Sequence, residues 1–320
     1  MNALLSLTSI LLVTLGSYLL LRMLRHPGDW SQRRKMQCLI LASPLVSLAI
    51  GISGLCLRSM APWDSLLDVT LPLMMAAMVV GATGLGFVRL GLMAKVMKHS
   101  GGRVNAELQT FTDILAKQLG SQRPRLLLYA CDRPLAFTCG LRKPAILLST
   151  WMLEHLDQRE LEAVLAHEVE HIARHDFLVT WLATILRDAF FYLPTSWIAY
   201  RQLQQEKELA CDDLVIGVTR RPLALASALT KVWLHALDGK SSVQFSAAQS
   251  LVGAAHTINC RIERLLSGTE LPKMEHRSQT RTLRMNISIL VMLLLPGAVN
   301  IAIMFVLMGC SPTSLIGKLL

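Results

Sequence analysis

Four long apolar runs, with a mixed stretch before the last of them, divide this chain. Residues 1–24 are nearly uncharged, and their run NALLSLTSILLVTLGSYLLL is long enough, at about 1.5 Å per residue, for a span at about 3–24 to cross a hydrocarbon core of about 30 Å. A removable leader would carry a basic start and a small-residue cleavage site; neither is present, so the run reads as a span. Residues 38–57 and 69–96 are a second and a third span, and 285–310 a fourth, followed by a short tail at 311–320. In the third, Gly81, Gly84, Gly86 and Gly91 allow close helix contact in lipid, and Arg89 near its end can snorkel to the interface. Residues 97–284 read as a mixed domain. Inside it, FLVTWLATILRDAFFYLPTSWIAY (177–200) is long enough to cross, but Arg187 and Asp188 sit at its centre and Pro194 interrupts it. Each central charge costs about 2.5–3.5 kcal/mol in a bilayer. The segment is therefore expected to be a helix buried against protein or lying in the interface.

Composition agrees with that picture. Of 320 residues, 52% are hydrophobic and 17% charged, against about 25% charged in ordinary soluble chains. The mean hydropathy is +0.45. A purely soluble protein and a disordered one are both excluded. The net charge of +10 invites a nucleic-acid reading, so the placement of the basic residues decides. Arg22, Arg25, Arg33, Arg34 and Lys35 crowd the first connection; Lys95, Lys98 and Arg103 follow the third span. Lys273, Arg277, Arg281 and Arg284 precede the fourth, and only Lys318 follows it. The positive-inside rule then puts the first connection and residues 97–284 in the cytoplasm, with both termini outside a cytoplasmic (inner) membrane. No basic cluster is interleaved with stacking aromatics, so membrane lipid, and no nucleic acid directly, is the expected partner. Seven dispersed cysteines without CxxC spacing suit a reducing compartment.

The chemistry lies in the mixed domain. Asp157-Gln-Arg-Glu160 is a capping box, and the helix after it places Leu161, Val164, Leu165 and Ile172 on one side. His167 and His171 are four apart and project from a neighbouring stripe, with Glu168 between them. This is HExxH: two zinc ligands one turn apart, and a carboxylate able to act as general base and acid on a zinc-activated water. The competing reading is a solvated His/Glu face, weakened by the strong cap. His155 and His175 lack the spacing; His175 is open to a supporting or substrate-contacting role or to plain exposure. A catalytic zinc needs a third protein ligand. Downstream, QEKELACDD (205–213) is an acid-rich helical stretch in which Glu208 and Asp212 share a face, Glu208 as ligand and Asp212 orienting a histidine. Spacing alone does not separate Glu208 from Glu206. Cys211 is a soft-ligand alternative, though a buried thiol is the commoner role. Leu135–Cys139 and Ala145–Leu148 read as short strands around Gly140 and Pro144, either an edge strand for substrate or a plain hairpin.

Three ordered blocks, LAFTCGLRKPAILLST (135–150), LEAVLAHEVEHIARHD (161–176) and EKELACDD (206–213), resemble the BlaR/MecR-type membrane zinc peptidases, relatives of HtpX and the CAAX prenyl protease. The resemblance covers roughly residues 100–310. It implies a multi-pass α-helical membrane protein with a mostly helical α+β zinc metallopeptidase (gluzincin-like) domain. It also implies Zn²⁺ on His167, His171 and Glu208, Asp212 as the aspartate of an ExxxD element, and Glu168 as the catalytic carboxylate. Relatives of this type often add a penicillin-binding sensor after the last span; the chain ends about ten residues after its own, so β-lactam sensing is not carried over. The function implied is endopeptidase action in regulated or signalling proteolysis, on a protein or peptide substrate, on the chain itself, or on a transcriptional repressor. The polar segment 267–284, with Gly268 and Pro272, is then the place for a self-cut, unless it is a passive linker touching anionic lipid. The rival is a non-catalytic membrane signalling or scaffold protein with a structural metal. A transporter is disfavoured by the scarcity of charges within the spans.

The topology is checked with reporter fusions. Fusions at Ser100 and Ser267 are expected to read cytoplasmic, and those at Asp64 and Leu320 external; opposite readings at Ser100 and Ser267 would mean that 177–200 crosses.

Overall fold

The computed structural model describes residues 2–23, 30–57, 67–99, 106–140, 143–238 and 260–266. The expected fourth span at 285–310, the segment 267–284 and the connection at 58–66 lie outside these. The chain divides into two compact units, one of residues 1–86, 183–203 and 276–320 and the other of 87–182 and 204–275.

In the first unit, helix α1 (Asn2–Met23) packs on α3 (Pro44–Leu57), and α2 (Trp30–Ala42) touches both. The expected second span is therefore two helices rather than one. The break falls at Ser43, because Pro44 has no N–H to donate and crowds the residue before it. Ser43 Oγ donates to the Ile40 carbonyl (2.7 Å) and lies 3.1 Å from Ser17 Oγ of α1. Helix α4 (Leu67–His99) is 33 residues long. Within it Val69–Lys95 has mean hydropathy 1.9 and is, among the described residues, the one helix long and apolar enough to cross a membrane. In α1 the apolar stretch Ile10–Arg22 is shorter.

Segment 177–200 is not a single helix. Helix α8 (Asp176–Ala189) ends at a turn over 190–193, and Pro194 opens α9 (Pro194–Thr219), where its missing N–H leaves nothing unsatisfied. The two central charges answer each other: Arg187 Nε donates to Asp188 Oδ1 at 2.9 Å. The Arg187 guanidinium also lies 4.9 Å and 4.5 Å from the ring centres of Trp197 and Tyr200.

The second unit builds a three-stranded sheet ordered β1-β3-β2. Strand β1 (Arg125–Tyr129) runs parallel to β3 (Ala145–Ser149), and β2 (Ala136–Cys139) antiparallel to it. Every residue of β3 is buried, as a central strand covered on both faces requires. The β2–β3 turn needs Gly140: its φ is +98°, and a Cβ there would sit 2.4 Å from the Lys143 carbonyl oxygen. The expected hairpin is thus present; β1, part of the run RLLLY, was not anticipated. Against the sheet lie α5 (Ala106–Gln118), α6 (Thr150–His155), α7 (Gln158–Ala173) and α10 (Pro222–Asp238). Leu115, Leu126, Ile146, Leu165, Val169, Val215 and Leu225 share one core. Trp151, Met152, Leu161 and Val164 form another with Leu148 and Ala228.

Helix α7 is the pivot of this unit, and its start is fixed as the capping box predicts. Asp157 Oδ1 accepts from Glu160 N (2.8 Å), and Glu160 Oε2 accepts from Asp157 N (2.8 Å). The same buried Glu160 carboxylate accepts from Ser227 Oγ (2.6 Å) and Lys231 Nζ (2.7 Å) of α10, tying the two helices together. Burial pushes the Glu160 carboxyl upward, but these hydrogen bonds outweigh it and hold the group below its ordinary value. Its contribution to stability is therefore present above the unfolded-state carboxyl value of about 4.3 and lost as pH falls through the lower folded-state value. Glu160→Gln is expected to cost about 1–3 kcal/mol at pH 7, read by thermal unfolding, and the gap to wild type should narrow at pH 3.

Candidate metal centre

Helix α7 carries His167 and His171 one turn apart on a buried stripe, their rings edge to face with centroids 4.7 Å apart. Helix α9 brings Glu208 to them. Glu208 Oε2 is 3.2 Å from His167 Nε2, and Oε1 is 3.7 Å from His171 Nε2. One ligand atom from each of the three residues lies within 4.8 Å of the others. Glu208 thus meets both imidazoles, and Glu206 is not in this group.

Each imidazole is held from its far side. His171 Nδ1 lies 3.0 Å from Asp176 Oδ2, itself paired with Arg174 Nε at 3.2 Å. His167 Nδ1 is 3.2 Å from Asp212 Oδ1, off the best hydrogen-bond line. With the Nδ1 side of each ring facing a carboxylate, both Nε2 atoms are turned to the same point. Asp212 thus faces the first histidine. Asp176, the partner of the second histidine, was missed, although it directly follows His175 and could have been read as part of the block 161–176.

Electrostatics follow from the crowding. Burial alone would lower the His167 imidazole, but Asp212 and Glu208 raise it to about 9. Burial likewise opposes charge on Glu208, yet Lys207, His167 and His171 hold its carboxyl well below the ordinary range. A proton on His167 faces Glu208 where a cation would sit, so this pair fits a metal ion that takes the proton's place. Two imidazole nitrogens and one carboxylate oxygen are also the donor number and type of a catalytic zinc site. A neighbouring set, His171, Asp176 and Cys211, is equally compact, and Cys211 Sγ lies 3.1 Å from His171 Nδ1. Burial pushes that thiol's pKa upward. The fully buried Sγ meets the Nδ1 side of His171, away from the Nε2 atom that faces Glu208.

Two further residues enter that the sequence did not single out. Thr138 of β2 places its hydroxyl 2.8 Å from Glu168 Oε2 and 2.9 Å from the Glu168 carbonyl oxygen, donating to one at a time. Arg261, in the helical turn at 260–266, donates from Nε to Asp212 Oδ2 (2.6 Å) and from Nη2 to Asp212 Oδ1 (2.8 Å). Nothing in local spacing marks either one; both are brought in by tertiary packing. His155 and His175 stand apart from the centre. His155 is exposed and stacks on Trp151 at 4.4 Å, and His175 is exposed with φ 55° just past the end of α7.

A family model described as BlaR1 peptidase M56 matches residues 31–265. The chain is 31% identical over 162 residues to "Protease HtpX homolog 1" of Streptomyces coelicolor, with 39% of this chain and 53% of that protein covered. It is 33% identical over 135 residues to "Protease HtpX" of Hydrogenovibrio crunogenus, covering 39% and 45%. Against "Methicillin resistance mecR1 protein" of Staphylococcus aureus it is 26% identical over 144 residues, covering 44% and 24%. The chain thus spans between about a quarter and about half of the length of these curated relatives.

Purified protein is expected to hold about one zinc per chain, measured by elemental mass spectrometry. Glu208→Gln should lose most of it and Glu206→Gln almost none; the opposite ranking would put the third ligand one register away.

Proposed function

The chain belongs to the BlaR1 peptidase M56 family, and we propose that it is a membrane-embedded zinc endopeptidase. His167, His171 and Glu208 would hold the metal, and Glu168 would serve as general base and acid. The observation that carries this reading is the convergence of both Nε2 atoms on Glu208, on a helix that places Glu168 between the two histidines. Zinc bound there would supply Lewis acidity, bringing a water's pKa towards about 7 and polarising a peptide carbonyl. Glu168 takes the proton of the attacking water on its carboxylate and later passes it to the nitrogen of the departing amine. Thr138, donating to Oε2, fixes the carboxylate's rotation and leaves Oε1 for that transfer. Asp176 and Asp212 keep the imidazoles aimed throughout.

The sheet offers a place for the substrate. Among the described residues β2 pairs with a strand on one side only, β3, so it is the edge to which an extended peptide would add. Because Thr138 joins that strand to Glu168, a peptide added there runs beside the catalytic carboxylate. The apolar α4 and the basic pattern of the connections support a cytoplasmic-membrane protein with this domain facing the cytoplasm. The resemblance to MecR-type proteins supports regulated cleavage, of the chain itself within 267–284 or of a repressor. A scaffold with a structural metal is the rival reading, and a buried, hydrogen-bonded Glu168 has no task in it.

Glu168→Gln should keep its zinc and lose about 10²–10⁴-fold in peptide cleavage. Equal cleavage by both proteins, or none by zinc-loaded wild type against any peptide or protein offered, would sink the peptidase reading. With a tag at the C-terminus, a small tagged fragment from wild type alone would place self-cleavage on the map. The same fragment from both proteins would implicate another protease.

A further inference from the structure

We propose that Arg261 completes the metal centre. Its guanidinium sets the third ligand and an orienting carboxylate of α9 from a segment lying 53 and 49 residues further along the chain. The inference rests on the metal-centre reading above and adds to it the residue that aligns it.

The contacts are specific. Two nitrogens of Arg261 grip Asp212 as a fork, Nε on Oδ2 and Nη2 on Oδ1. That Oδ1 is the atom 3.2 Å from His167 Nδ1. The third nitrogen, Nη1, reaches Glu208 Oε2 at 3.2 Å, and this oxygen is the one 3.2 Å from His167 Nε2. A single planar group therefore touches both oxygens that face the two nitrogens of one imidazole. Arg261 is itself buried, so the arrangement is shielded from water.

Nearby, Lys207 Nζ pairs with Glu208 Oε1 at 3.0 Å, and Arg174 Nε with Asp176 Oδ2 at 3.2 Å. The Arg261 fork spans two carboxylates, one helical turn apart on α9. Rigid bidentate geometry is the property that separates Arg from Lys, which is a mobile point charge. Two effects of opposite sign are at stake. Removing a positive charge beside a dication site tightens binding by simple Coulomb attraction. Releasing Asp212 and Glu208 from their orientation weakens it, and loss of such supporting contacts costs about 10–100-fold in metal affinity. A lysine keeps the charge and loses the fork, so it isolates the geometric effect.

The test uses the purified full-length protein and zinc alone, titrated against a chromophoric chelator. Arg261→Lys is expected to bind zinc about 10–100-fold more weakly than wild type. Arg264→Lys, in the same helical turn but paired with Asp213, should stay within about twofold. In an Asp212→Asn background, Arg261→Lys should cost less than in wild type, since the two changes share the Asp212 fork and only the Glu208 contact is left to lose. Unchanged zinc affinity in Arg261→Lys, or full additivity of the two changes, would overturn the proposal. If Arg261→Lys fails to unfold cooperatively, Asp212→Asn replaces it, with the same loss of affinity expected and unchanged affinity overturning the idea. Zinc binding without peptide cleavage in wild type would remove the peptidase reading and leave this one intact. Normal cleavage with normal zinc affinity in Arg261→Lys would remove this one alone.

Discussion

The arrangement of the second unit depends on one constraint: two imidazoles from a single helix must turn their Nε2 atoms to the same point. A histidine ring has freedom about two bonds, and burial alone does not choose between its nitrogens. Here the choice is made by carboxylates on the opposite side, Asp176 for His171 and Asp212 for His167. Those carboxylates are themselves buried, and a buried charge is costly unless paired. Arg174 answers Asp176 and Arg261 answers Asp212. The centre is thus layered, each layer needed to make the one inside it affordable.

Helix α7 supplies the reference frame for those layers. Its capping box fixes where the helix begins, and the tie from Glu160 to Ser227 and Lys231 fixes it against α10. Leu165 and Val169 on its other side are fully buried in the core shared with β1 and β3. A helix held at its start and along its apolar face has little freedom to rotate, and a small rotation would move both histidines together. Precision at the site is here a consequence of ordinary core packing.

What the sequence disclosed and what it hid divide along chain distance. HExxH, the capping box and the pairing of Glu208 with Asp212 are local patterns read at helical spacing. The β2–β3 turn was likewise legible from Gly140 and Pro144. The break at Ser43 shows the opposite error. Hydropathy measured over twenty residues does not register one proline, yet Pro44 begins a new helix, as Pro194 does at the interruption already legible in 177–200. Thr138 and Arg261 were hidden for another reason. Their partners lie 30 and 49 residues away, and a threonine in a strand or an arginine in a basic chain carries no local mark. Only the fold brings them to the site.

Thr138 also shows why the sheet and the metal helix act as one object. Its hydroxyl reaches both the backbone carbonyl and the carboxylate of Glu168, so strand β2 is registered directly against the residue after the first histidine. An extended chain added to β2 would inherit that registration through its own backbone hydrogen bonds. The height of such a chain above Glu168 is then set by strand geometry, with no dependence on its side chains. A site organised in this way positions backbone first, and side-chain preference has to come from elsewhere along the edge. On the function proposed above, such a device would hold an extended segment by its backbone and leave selectivity to whatever controls presentation.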